Sequence, residues 1–261
     1  MGPSYAGVHM NIGIIGTGNI GGTLARKLTA AGHQVRVANS KGREGISTLA
    51  KQMGATAADV WDAVNNVDAI ILAIPLPAMQ QLPAGLFNSV ATVVPIIDTS
   101  NYYPGMRDAR IAEIDDGMPE SVWVSQQIGR PVTKAFNNAL AYTLAYLGTP
   151  TGAQGRLAIA VAGDDEGCKQ VAMNLVDQVG FDPVDAGSLS ESWRQQPCTP
   201  AYCCDWDADE TRAALASAVK GDAERKRGQM AEAFAKLGPS PTHEEVVAMN
   251  RRINAPQHGH R

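Results

Sequence analysis

The chain reads as an α/β protein built on a doubly wound, mostly parallel sheet, with a small helical cap at its C-terminal end. Three observations predict this class. Apolar runs of strand length alternate with helical segments through the first two thirds of the 261 residues. These runs are continuous rather than alternating, as a sheet covered by helices on both faces requires. The first run passes directly into a turn containing Gly16, Gly18 and Gly21, which opens a helix. Together they predict a Rossmann-type sheet.

The elements follow in order. Ile12 to Ile15 is the first strand, followed by a helix from about Asn19 to Ala31 and a strand at Gln34 to Ala38. A helical stretch near Gly45 to Met53 leads to an extended piece at Ala55 to Ala57. WDAVNNVDAIILAIP supplies a short helix and a buried strand, Ala69 to Ile74. ATVVPIIDTSN, RPVTKAFN and RLAIAVAGD each supply one more strand. A helix at Glu166 to Val179 and a strand at Phe181 to Val184 close the sheet, with Asp164 and Asp165 placed to cap that helix, where negative charge complements its dipole.

After DAGSL (Asp185 to Leu189) the composition changes. SESWRQQPCTPAYCCDWD is rich in proline, cysteine and aromatic residues, and the following ADETRAALASAVKGDAERKRGQMAEAFAKLG reads as one or two amphipathic helices. The expected division is residues 1–9 as an appended leader before a natural start at Met10, 10–187 as the dinucleotide-binding domain, and 188–261 as a helical cap serving dimerisation and substrate binding. The apolar face of those helices needs a cover, which predicts a homodimer.

Composition narrows the function. Hydrophobic residues make up 44% and charged residues 18%, ordinary for a globular enzyme and too apolar for disorder. A net charge of −4 argues against nucleic acid as a partner, because a phosphate backbone needs a concentrated basic face. No apolar run approaches the roughly 18 residues of a membrane span. Cys168, Cys198, Cys203 and Cys204 form no paired framework, so reduced thiols in a cytoplasm are expected, and vicinal Cys203 and Cys204 read as small buried residues. The five histidines lack ligand spacing, so no metal site is expected.

The glycine turn carries the first chemistry. Gly16 permits the tight turn, Gly18 lets the backbone approach a pyrophosphate, and Gly21 lets the helix pack close to the strand. An NAD site commonly places Asp or Glu at the end of the next strand to grip the ribose. Here that position is Asn39, followed by Ser40, Lys41 and Arg43. A carboxylate would repel a 2′-phosphate, whereas these residues can donate to it, which predicts NADP(H). Later strand ends should complete the site, since ligands bind at the carboxyl edge of such sheets. They are Ala73, Ile74, Pro75 and Leu76 after one strand, and Thr99, Ser100 and Asn101 after the next.

IGIIGTGNIGGTLARKLTAAGHQVRVANSKG, DAIILAIP and VAGDDEGCKQVAMNLVDQVGFDPVDAGSL together resemble the coenzyme F420-dependent NADP oxidoreductase family, from about Asn11 to Leu189. The resemblance implies that Thr17, Gly18, Asn19 and Ile20 contact the pyrophosphate. It implies that Ser40, Lys41 and Arg43 bind the 2′-phosphate and that Ile74, Pro75 and Leu76 approach the nicotinamide. From Ser190 onward the chain departs from the deazaflavin reductases of that family, which implies a different substrate.

The expected activity is hydride transfer between NADP(H) and a small organic acceptor, either flavin- or deazaflavin-like or a carbonyl or imine. A flavin-like acceptor mainly needs stacked rings; a carbonyl or imine benefits from a proton donor. Lys134 and Asn137, at the end of a predicted strand, could orient or protonate an oxygen. Tyr102 and Tyr103 follow another strand, and either phenol could stack or donate a proton; Tyr102 joins Lys134 and Asn137 as a catalytic candidate. The stretch around Trp193, Tyr202 and Trp206 is the candidate substrate wall. Two rival readings are an NADP(H)-binding sensor without turnover and a hydroxyacid-dehydrogenase relative using Lys134 and Asn137.

Overall fold

The computed structural model describes residues 9–256. The predicted leader therefore lies outside the described residues except for His9, whose ring nitrogen sits 2.7 Å from the Gly32 carbonyl oxygen.

Strand β1 (Asn11–Ile15) enters helix α1 (Asn19–Ala30) through the glycine turn. β2 (Gln34–Ala38) follows, then α2 (Gly42–Gly45) and α3 (Ser47–Gln52). The single helix expected near 45–53 is thus two short ones that meet at Ile46. Glycines at both ends of α2 disfavour a longer continuous helix. β3 (Thr56–Ala57), α4 (Val60–Val64) and β4 (Ala69–Leu72) come next. β4 stops two residues short of the expected Ile74. Ala73 still donates to Ile15, but Pro75 has no N–H with which to continue the ladder.

β5 (Ile96–Asp98), α5 (Ala112–Asp115), α6 (Glu120–Ile128) and β6 (Thr133–Lys134) complete a six-stranded parallel sheet ordered β3-β2-β1-β4-β5-β6. The order reverses between β1 and β4, so a crevice opens at the carboxyl ends of these strands. Past α7 (Ala141–Tyr146), β7 (Ala158–Val161), α8 (Glu166–Gln178) and β8 (Asp182–Asp185) form a parallel pair. This pair joins the main sheet in the opposite sense through an antiparallel bridge between Lys134 and Ala162.

Alternation along the strands divides the core between two faces. Ile12, Ile14 and Val37 pack with Leu24 and Leu28 of α1 and with Leu175 of α8. Ile15, Ile70 and Leu72 pack with Val64 of α4 and Trp123 of α6. Each such side chain is buried, worth roughly 1.5–3 kcal/mol against exposure.

Asp165 caps α8 as expected, accepting from the Cys168 N–H at 2.8 Å. Asp164 instead accepts from the Leu189 N–H at 2.9 Å, tying the chain leaving β8 back to the sheet. Beyond it lie α9 (Ala208–Ser217), α10 (Asp222–Lys236) and α11 (His243–Asn254). The predicted helical stretch is therefore two helices, and α11 is an addition to the reading. Its start was legible: Thr242 and Glu245 form a capping box. No helix among the described residues is long and apolar enough to cross a membrane.

Candidate functional site

A cavity of about 320 Å³ opens at the carboxyl ends of β1, β4 and β5. One wall is the glycine turn, where Gly18, Asn19 and Ile20 line it. Gly16 has φ +108°, and a Cβ there would meet the Ala73 carbonyl oxygen at 2.2 Å; one on Gly21 would meet the Gly16 carbonyl oxygen at 2.0 Å. Both glycines are therefore required by the protein's own backbone. Gly18 differs, because a Cβ there would find no atom within 4 Å. Helix α1 begins at Gly18 with neither a side-chain cap nor an acidic residue in its first turn. Uncapped N–H groups, the positive end of the helix and open space fit the pyrophosphate of a dinucleotide.

Ala73, Ile74 and Pro75 continue this wall, and Thr99, Ser100 and Asn101 extend it from β5. Leu76 turns into the core and is fully buried. Thr17 faces Asn39, whose side-chain amide donates to its hydroxyl at 2.6 Å. The Asn39 oxygen accepts from the Lys41 N–H at 2.8 Å, so Asn39 shapes the turn that carries Ser40, Lys41 and Arg43. All three of those residues are exposed, and Arg43 pairs with Asp59 and Asp62.

The facing wall comes from three distant segments. Tyr103, Phe136 and Tyr202 line it, with Arg107 at the rim. The Tyr103 and Tyr202 hydroxyls are hydrogen-bonded to each other, and the Arg107 guanidinium lies over the Tyr103 ring, 4.9 Å from its centroid. Burial pushes both phenols above the ordinary tyrosine range. Phe136 and Cys203 both hold positive φ, 64° and 53°, conformations that non-glycine residues rarely adopt.

Tyr202 is held from behind by α11. Asn254 donates to the Tyr202 carbonyl at 2.8 Å, Asn250 to that of Cys203 at 3.0 Å, and Arg251 to that of Cys204 at 2.8 Å. The four cysteines are free and buried, and burial raises the Cys198 and Cys204 thiols to about 12. Thiolate chemistry is therefore suppressed at the vicinal pair.

Several predicted site residues do not reach the cavity. Lys134 is fully buried beneath it. Its Nζ donates to the Ser100 carbonyl at 3.1 Å and to Ser121 Oγ at 3.0 Å, and it pairs with Glu120 at 3.4 Å and Asp98 at 3.9 Å. It is neither a free acid nor a surface lysine, because two buried carboxylates hold it. Tyr102 is likewise buried, accepting from the Ile111 N–H at 2.8 Å and donating to Asp115 at 3.3 Å. Its neighbour Tyr103 lines the cavity instead.

Asn137 does line the cavity, but its polar atoms are engaged. Its amide donates to Asn101 at 3.0 Å and to the Gln195 carbonyl at 2.8 Å, and its oxygen accepts from Gln195 at 2.9 Å. Trp193 lines a separate cavity with Val219 and Arg227. Trp206 donates to the Pro200 carbonyl at 3.0 Å beneath the Arg251 guanidinium. Of the substrate candidates only Tyr202 reaches the cavity; of the two tyrosines after β5 it is Tyr103 that does, and the lining residues not anticipated were Arg107 and Phe136. The one signal for Arg107 was its place in the polar, aromatic run directly after β5. No cluster of three or more metal-ligating side chains occurs among the described residues.

The sheet, the glycine turn and the cavity at its open edge define a Rossmann-class dinucleotide-dependent oxidoreductase. Residues 11–102 match the family model described as NADP oxidoreductase, coenzyme F420-dependent. Over 107 residues the chain is 52% identical to protein YjhV of Escherichia coli K12, covering 41% of this chain and 78% of that one. The crystal structure of protein SMa0349 from Sinorhizobium meliloti is similar at 28% identity and a TM-score of 0.58, over 71% of this chain and 88% of that one. A 3-hydroxyisobutyrate dehydrogenase of Mycobacterium tuberculosis shares the fold at 17% identity and a TM-score of 0.52, over 89% and 67% of the two chains. The chain belongs to the coenzyme F420-dependent NADP oxidoreductase family and is an NADP-dependent oxidoreductase.

Proposed function

We propose that this protein transfers a hydride between NADP(H) and a small organic acceptor, flavin-like or a carbonyl or imine, bound in the cavity between the glycine turn and Tyr202. The observation that carries this reading is the uncapped start of α1 beside the open space at Gly18, at the edge of the cavity that Tyr202 closes. In this reading Gly18, Asn19 and Ile20 hold the pyrophosphate, and Ala73 to Pro75 with Thr99 to Asn101 flank the nicotinamide. Gly16, Gly21, Thr17 and Asn39 shape the cradle.

Ser40, Lys41 and Arg43 hold the 2′-phosphate. Each charge-assisted bond there is worth about 1.5–3 kcal/mol. Arg43 must leave Asp59 and Asp62 to make one, so Lys41 contributes more. The expected result is NADPH binding at least tenfold tighter than NADH binding, with Lys41→Ala removing more of the difference than Arg43→Ala. Equal affinity for both cofactors in the unsubstituted protein, measured by calorimetry, would overturn the phosphate assignment.

We also infer a cytoplasmic homodimer divided near Gly187. The four cysteines are free, and the exposed rings of Tyr142 and Tyr146, 4.9 Å apart, offer a second copy an apolar contact. A monomer in sedimentation would count against the dimer.

A further inference from the structure

We propose that the acceptor is a small carbonyl or imine compound and that the hydrogen-bonded Tyr103–Tyr202 pair donates the proton to its oxygen or nitrogen. This rests on the oxidoreductase reading and narrows it. The two phenols lie on the wall facing the glycine turn and the ends of β4 and β5, so a molecule between the walls touches both sides. In a phenol–phenol hydrogen bond one O–H is used within the pair, and the accepting tyrosine keeps its own O–H to give elsewhere. A tyrosine phenol is protonated at neutral pH, the form an acid needs. The Arg107 guanidinium lies over the Tyr103 ring, held there by its pairing with Asp108 at 2.7 Å. Ser100 lines the same cavity, only 4% exposed, and its buried hydroxyl has no hydrogen-bond partner among the described residues.

Size points the same way. The cavity, about 320 Å³, is at the small end of the roughly 300–1,000 Å³ typical of ligand sites, and the nicotinamide end of the cofactor must share it. A three-ring flavin competes for that volume and has no use for a buried acid. A polarised C=O or C=N bond needs one. When hydride adds to its carbon, the π electron pair moves to oxygen or nitrogen. A phenolic O–H bond breaks toward that atom as the new O–H or N–H bond forms, and the phenolate recovers a proton from solvent at the open side. The acceptor gains two electrons and two hydrogens, with NADPH as reductant.

The test uses the full chain with NADPH and the probes glyoxylate, cyclohexanone and 1-pyrroline, with FMN as an acceptor that needs no protein acid. At least one of the first three should be reduced. Tyr103→Phe and Tyr202→Phe should each lower its kcat by about 100-fold or more while leaving NADPH affinity within about twofold. The unsubstituted protein should show a solvent deuterium isotope effect on kcat, a readout that survives if a variant fails to fold. Independently of turnover, ultraviolet titration of tyrosinate in the NADP-saturated protein should lose its latest-titrating phenols in the double variant. NADPH binding without reduction of any carbonyl or imine, reduction of FMN alone, turnover indifferent to both substitutions, or no isotope effect would each overturn the proposal while leaving the oxidoreductase reading intact. Failure to bind NADPH would overturn that reading instead.

Discussion

The two walls of the cavity are built by opposite means. The wall of Gly16 to Gly21 and the ends of β4 and β5 is assembled from short-range stereochemistry: a turn that only glycine can make, a helix that starts without a cap, and parallel strands in register. The wall of Tyr103, Phe136 and Tyr202 is assembled from long-range polar contacts. Tyr103 and Tyr202 lie 99 residues apart, and Tyr202 is held by Asn254 from 52 residues further on. In the proposed reading the first wall serves the dinucleotide and the second the acceptor. Beneath both lies the buried Lys134 cluster, which ties β5, α6 and β6 into one platform.

This contrast can be tested in order of consequence. Lys134→Met leaves Asp98 and Glu120 buried without their cation, which should cost about 3–5 kcal/mol of stability in urea denaturation. A catalytic acid at that position would instead lose turnover with stability unchanged. Gly18→Ala meets no protein atom, so folding should be unaffected while NADPH affinity falls about tenfold or more, because the methyl would occupy the space proposed for the pyrophosphate. Calorimetry together with a thermal melt separates the two effects. Asn254→Ala removes the donor to the Tyr202 carbonyl and should cost about 1–3 kcal/mol. NADPH binding should persist in that variant while acceptor turnover drops, which would place the loss on the second wall alone.

The legibility of the molecule follows the same division. The strands and α1 were readable because burial on two faces leaves continuous apolar runs, and the glycine spacing identified the turn. RPVTKAFN was readable as a strand, of which only Thr133 and Lys134 pair as β6, and the reversed sense of the β7–β8 pair was hidden because strand direction depends on the path between elements. Lys134 misled because a lysine at a strand end ordinarily faces solvent, and its partners come from α6 and from the strand beside it. Tyr102 and Tyr103 were separable only by the direction of the backbone after β5. The tryptophans misled because an aromatic cluster marks a buried anchor as readily as a substrate wall. Trp206 is an anchor beneath Arg251, and Trp193 lines a different cavity.

Local order in the chain therefore settled the α/β class, the dinucleotide turn and the basic loop after β2, because periodicity and turn geometry act over a few residues. Folding settled which tyrosine meets the cavity, which charges lie buried under it and which helix holds its far side. Those outcomes depend on groups separated by tens of residues, whose pairing is set by the direction of each strand and by the cost of leaving a buried polar atom without a partner.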